Sequence, residues 1–281
     1  LQQLVAGLQH RLLLLDGDAV AIDVDLLAET PPPLAELARA AGFKCAFLSG
    51  SCVAASRLGG PDLDRLWIQP LRYAPIPAPG GRLASIWPRV SVLSTIDRPP
   101  WADIGILLAR LHRMPISGDP PRLGGHSRLA RSVARLHAAG AEWQWLAELG
   151  DDLAARLAEP RIATLAHGDF HLGQLGHTPL RRSWKLLDVD DFGVGDPAWD
   201  LARPAGFWAA GLLDDDSWQT FLDAYREAGG PAVPSGGDPW PALDLPARAA
   251  VLVAAVQAIR TPDSQDTAEA LLAACRQMQT G

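Results

Sequence analysis

His167-Gly168-Asp169-Phe170-His171-Leu172-Gly173-Gln174, with Asp188 fourteen residues further on, is the most informative stretch of this chain. The apolar run Ile162 to Ala166 reads as a short strand that ends where the motif begins, and Trp184 to Leu187 reads as a second strand that ends at Asp188. If these two strands pair as a hairpin, both acidic loops meet at one edge of the domain. Asp169 then offers a carboxylate that can take the proton of a hydroxyl. The Gln174 amide oxygen and the Asp188 carboxylate are hard oxygen donors of the kind that hold a divalent metal against phosphate. A positioned base and a metal-holding pair are the parts that phosphoryl transfer requires.

On the C-terminal side, Asp190 and Asp191 either extend an acidic wall of an acceptor site or are simply solvated. Asp196 and Asp200 read as braces for the loop and a helix start, where Asp is favoured. His167 is expected to orient the loop through hydrogen bonds. His171 reads as loop packing, with substrate contact as the alternative. On the N-terminal side, Ile104, Leu107, Leu108 and Leu111 fall on one face of a helix that starts near Trp101. Further helices are expected over Arg128 to Ala139 and Glu142 to Leu157, and again from about Trp199 to Met278, with a Pro/Gly-rich break around residues 229 to 246. Asp214-Asp215-Asp216 reads as a helix N-terminus favoured by negative charge.

The first hundred residues follow a different pattern. Leu12 to Leu15 and Ala19 to Val24 flank the turn Asp16-Gly17-Asp18, which is a hairpin signal. Pro31-Pro32-Pro33 followed by Leu34 to Ala41 and Gly42 predicts a helix. Leu66 to Leu71 and Leu83 to Val90 read as short strands separated by Pro75, Pro77, Pro79 and Gly80-Gly81. The boundary falls near Arg98-Pro99-Pro100. This gives a small β-rich lobe over 1–98 and a helical lobe over 99–281.

Taken together, these segments resemble the aminoglycoside-phosphotransferase group of small-molecule kinases. His167-Gly168-Asp169 resembles that group's catalytic triplet. Leu187-Asp188 with Gly195-Asp196-Pro197-Ala198-Trp199-Asp200-Leu201-Ala202 is similar to its second signature, and Ile104 to His112 to the helix that opens its large lobe. The resemblance covers about residues 84 to 205. It implies a two-lobed, protein-kinase-like α+β fold with a small β-rich N-lobe and a larger, mainly helical C-lobe. It also implies transfer of the γ-phosphate of ATP or GTP to a hydroxyl, with Asp169 as base and Gln174 and Asp188 as magnesium ligands. Ile86 to Val90 would form the adenine hinge, with Trp87 against the base. An aminoglycoside-type antibiotic is the leading acceptor by resemblance, and a sugar or other metabolite follows. Asn is usual where Gln174 stands, and maltokinases look similar in carrying His-Leu-Gly-Gln.

Two family features are missing from this pattern. Val20-Ala21-Ile22-Asp23 supplies Asp where a phosphate-holding Lys is expected, Lys44 follows the helix, and Arg57 or Arg72 are the substitutes. No glycine-rich loop occupies the first fifteen residues, and Ser49-Gly50-Ser51 is a weak stand-in. A nucleotide- or ligand-binding pseudokinase, or an antibiotic-sequestering protein, are the alternatives these departures raise. Composition restricts the partners further. Net charge is -7 without a basic run, which disfavours nucleic acid and anionic membranes as partners. Cys45, Cys52 and Cys275 form no metal-ligand pair, so a reducing cytoplasm is expected. The apolar run Ala249 to Ile259 falls short of the roughly 20 residues that span a bilayer. Oligomeric state is not legible.

Overall fold

The computed structural model describes residues 98–157, 161–177, 183–261 and 265–279, with 63–69, 90–93 and the strand paths 12–15, 18–21, 46–47, 72–78 and 82–86. The expected helix at 34–41, Asp23, Lys44, Arg57, the 49–51 turn, Cys45, Cys52 and Trp87 lie outside those residues. The chain has the expected α+β composition, and it divides into two compact units. One comprises 1–99 with 172–190, and the other comprises 100–171 with 191–281.

In the first unit, β1 (Leu12–Leu15) and β2 (Asp18–Ala21) form the expected hairpin, with Leu15 opposite Asp18. A three-stranded sheet has the order β3 (Ala46–Phe47), β5 (Arg82–Ile86), β4 (Arg72–Ala78). Pro75 and Pro77, expected to break the chain, lie within β4. Among the described residues this strand pairs on one side only, and its register shifts between Arg72 and Ile76. An edge strand with a bulge is where proline's missing donor is tolerated. Over the described part of the strand expected at Leu66 to Leu71, the chain is otherwise arranged: Leu63–Leu66 is one turn of helix (α1), followed by a parallel bridge from Trp67 to Leu186. The unit's second sheet has the order β6 (Ser91–Val92), β8 (Leu175–His177), β9 (Lys185–Leu186).

The second unit is helical around one short ribbon. Its helices are α2 (Trp101–His112), α3 (Gly125–Ala139), α4 (Gln144–Arg156), α5 (Ala198–Ala209), α6 (Asp215–Glu227), α7 (Trp240–Ile259) and α8 (Gln265–Gln279). The face of α2 read from periodicity is the buried one: Ile104, Leu108 and Leu111 are fully enclosed, and α2 packs on α6. Asp214 caps α6, its Oδ1 accepting the Ser217 N–H at 2.8 Å. The Pro/Gly break closes earlier than expected, because Pro241 sits in the first turn of α7 and Pro246 within it. α7 is consequently 20 residues long, with a mean hydropathy of 1.6, long and apolar enough by composition to cross a bilayer. Its apolar surface is used otherwise: Leu243, Val251 and Leu252 are fully buried, and the helix packs against α5 and α8 as the spine of the unit.

The ribbon corrects one expectation that bears on the site. β7 (Thr164–Ala166) does not pair with the strand leading to Asp188. It pairs antiparallel with β10 (Gly193–Gly195), while β9 is taken by β8. Glycine is depleted in strands, so Gly193-Val194-Gly195 carries no strand signal of its own. It forms a strand because its backbone approaches others closely: a Cβ at Gly193 would stand 2.4 Å from the Pro121 carbonyl oxygen.

Candidate active site

The β7–β10 register, Ala166 opposite Gly193, brings Gly168 beside Asp191 at the end of the ribbon. Gly168 has φ +86°, and a Cβ there would lie 2.3 Å from the Asp191 carbonyl oxygen. Backbone conformation and space therefore both demand glycine. Gly168→Ala should destabilise the protein by roughly 3 kcal/mol, combining left-handed strain with an overpacked contact. Chemical denaturation measures this, and a loss below about 1 kcal/mol would contradict the described fit.

The turn that carries Asp169 is held from beneath by Asp200, in the first turn of α5. Asp200 Oδ2 accepts the His167 N–H at 2.7 Å and Oδ1 accepts the Gly168 N–H at 2.8 Å. His112, the last residue of α2, bonds Oδ2 through Nε2 at 2.9 Å, and its Nδ1 lies 2.7 Å from the Tyr225 hydroxyl. That hydroxyl also accepts the Ala232 N–H at 3.0 Å. With Tyr225 donating to Nδ1 and Nε2–H donating to Asp200, every donor in this buried chain points toward one carboxylate. Burial by itself would push the Asp200 carboxyl up; the hydrogen bond from His112 first, and then neighbouring His167 with its backbone N–H, hold it below its ordinary value. The Tyr225 hydroxyl is pushed up, chiefly by burial. Asp200 thus braces the loop, as its motif suggested. Asp196 does the same for the start of α5, accepting the Ala198 N–H at 3.0 Å. His167 is buried, and its Nδ1 accepts the Asp169 N–H at 3.4 Å.

Asp169 itself faces a small cavity walled by Phe170, Trp199, Arg128 and Arg203. Its Oδ2 pairs with Arg128 Nη2 at 2.8 Å and lies 3.9 Å from His171 Nε2. Its Oδ1 has Arg203 Nη2 at 3.8 Å, beyond hydrogen-bonding distance. Asp191 is buried and joins the same group, pairing with Arg128 Nη2 and lying 3.9 Å from Arg131 Nη2. The structure therefore brings His167, Asp169, His171 and Asp191 together in the second unit. The arginines escaped the sequence reading, although Arg203 stands one helical turn after Trp199 and Asp200 in α5, a spacing that puts all three on one face.

Gln174 and Asp188 come together in the first unit. The β8–β9 register puts Leu175 opposite Leu186, and one step further the Leu187 N–H bonds the Gln174 carbonyl at 2.8 Å. The Gln174 amide then reaches Asp188 Oδ2 at 3.2 Å. Asp188 has φ +58°, a conformation that Asp tolerates better than most side chains. It is secured by the Trp67 indole N–H on its carbonyl and by the Asp190 N–H on Oδ1, both at 2.9 Å. An amide and a carboxylate in contact form a donor set that suits magnesium, which takes its remaining ligands from phosphate and water. Among the described residues no group of three acidic, His or Cys side chains could hold a metal by protein alone. Val90 is half-buried just before β6, and Asp190 is exposed.

Residues 99–245, more than half of the chain, match the phosphotransferase enzyme family (APH). The chain belongs to that family. As a member of the phosphotransferase family it is a small-molecule kinase, and nucleotide use comes with the family. No curated protein matches the sequence. Among solved structures it is similar to a choline/ethanolamine kinase family protein from Mesorhizobium loti, at 13% identity and TM-score 0.53, covering 84% of this chain and 82% of that one. It is also similar to the choline kinase LicA from Streptococcus pneumoniae, at 14% identity and TM-score 0.52, covering 84% and 86%. The AMP-bound spectinomycin phosphotransferase APH(9)-Ia is similar at 16% identity and TM-score 0.50, covering 83% of each chain. At such identities these likenesses establish the kinase-like α+β fold and leave the acceptor open.

Proposed function

We propose that the protein transfers the γ-phosphate of ATP to a hydroxyl of a small molecule, with Asp169 as the base. The observation that carries this is Asp169 on a turn pinned by Asp200, its Oδ1 outside hydrogen-bonding distance of Arg203 while Oδ2 is engaged by Arg128. A carboxylate held this way has one oxygen to receive the acceptor's proton as the hydroxyl oxygen bonds to phosphorus and the bond to ADP breaks. His167 orients the turn from within. Gln174 and Asp188 would hold magnesium, which supplies neutralisation of charge on the phosphate oxygens. Trp87 and Val90 would flank adenine, and GTP is the alternative nucleotide. The acceptor is a hydroxylated small molecule, for which the family resemblance supplies aminoglycoside-type antibiotics first and sugars second. A cytoplasmic setting, where ATP and magnesium abound, belongs to the same reading.

Thermal unfolding with millimolar ATP or GTP tests the nucleotide half. Stabilisation that grows with magnesium is expected, and no shift with either nucleotide would remove the kinase reading. Asp188→Ala should abolish the magnesium-dependent part of that shift and leave the metal-free part in place. An unchanged magnesium response would take Asp188 out of the metal site.

A further inference from the structure

The cavity beside Asp169 has a charge balance that an antibiotic-type acceptor would not favour. Three guanidiniums, Arg128, Arg131 and Arg203, surround two carboxylates, Asp169 and Asp191. Their side chains are 30%, 53% and 15% exposed, so the two that wall the cavity are the more enclosed. The remaining wall is apolar, formed by Phe170, Trp199, Ala250 and Val253, and charges in such surroundings interact strongly. Three acidic side chains of this unit are paired away from the cavity. Asp151 pairs with His137, Asp152 with Arg156, and Asp223 accepts from Gln219 along α6.

We infer that the acceptor is anionic, a hydroxylated small molecule whose carboxylate or phosphate group is received by Arg203 and Arg128 while its hydroxyl faces Asp169. This rests on the phosphotransfer role proposed for Asp169 and narrows it to a substrate class. Arginine's planar fork suits both anions, since either presents two oxygens to it. Arg203 is the most enclosed of the three, its Nη2 3.8 Å from Asp169 Oδ1, and an anion seated beside it would face the two inner guanidiniums. An ammonium-bearing sugar would instead meet two guanidiniums next to the reacting oxygen. The Trp199 indole adds a flat apolar surface suited to the carbon face of a small polyol.

Titration of the full chain, saturated with magnesium and a non-hydrolysable ATP analogue, tests this. The probes are D-gluconate and glucose 6-phosphate, with glucose and glucosamine as their neutral and cationic counterparts. Saturating nucleotide keeps the anions from reporting on the nucleotide site. At least one anion should bind about tenfold or more tightly than glucose, with glucosamine weakest. The gluconate and sugar-phosphate arms separate a carboxylate from a phosphate preference. Arg203→Leu should reduce the anion's affinity to that of glucose. Arg131→Gln, at an exposed position that leaves the inner pair intact, should weaken it about threefold by lowering the local potential. Glucose or glucosamine binding as well as both anions would overturn the inference, and so would anion affinity that neither variant changes. Preferential anion binding in a protein that ignores nucleotide would instead remove the phosphotransfer role and leave the charge preference standing.

Discussion

Asp169→Asn is expected to reduce kcat by about a thousandfold while leaving nucleotide affinity within a factor of about two, the signature of a lost proton acceptor. Turnover can be followed as ADP release with water as default acceptor and with any acceptor found by charge-matched screening. The substitution keeps the shape of the side chain and its place beside Arg128, but an amide cannot accept the hydroxyl's proton. It also removes the negative charge between Arg128 and Arg203. If the acceptor is anionic, the variant's cavity becomes more attractive to it, so KM should fall as kcat collapses. That opposite movement separates a catalytic carboxylate from one that merely pairs with arginine. A kcat within about tenfold of the parent would remove Asp169 from the role of base.

The geometry of the candidate site was legible in the sequence where its parts are local and periodic. Asp169, Gln174 and Asp188 are fixed by short spacings, and the hairpin that joins the last two has the register that brings Gln174 opposite Leu187. The buried face of α2 followed from the 3.6-residue period. What failed was nonlocal. β7 chose Gly193–Gly195 over the strand before Asp188, because strand partners are set by backbone approach and not by the apolar content of the strands themselves. Arg128 and Arg203 give no signal of their own, since nothing in a helical pattern says which arginine turns toward a carboxylate some tens of residues away. Prolines within β4 misled for a related reason: their tolerance depends on that strand being an edge, which is a property of the sheet. Charge at the site, and with it the acceptor class, becomes readable only once those helices are packed.

Asp200→Asn is the second large effect expected, and it falls on folding as much as on turnover. The parent carboxylate is fully buried and takes hydrogen bonds from His112 Nε2, the His167 N–H and the Gly168 N–H. An amide replaces one acceptor oxygen with a donor, so at least one of these N–H groups must face another N–H. Breaking a buried charged network by removing one partner costs about 3–5 kcal/mol. The pH dependence distinguishes lost charge from lost packing. Asp200 titrates below its ordinary 3.8 in the folded protein, so its contribution is fully present above that value and is lost as pH falls through the depressed folded value. Denaturation free energies of parent and variant should therefore differ by a constant amount from neutral pH down to about pH 5, and converge at more acidic pH. Lost packing alone would leave the gap unchanged at every pH. The same substitution frees the turn beneath Asp169, so turnover measured under conditions where the variant is fully folded should still fall by about a hundredfold, as expected when a reacting group loses its fixed position. Full activity in a folded Asp200→Asn variant would show that the turn holds its shape without the carboxylate, and that Asp200 serves the fold alone.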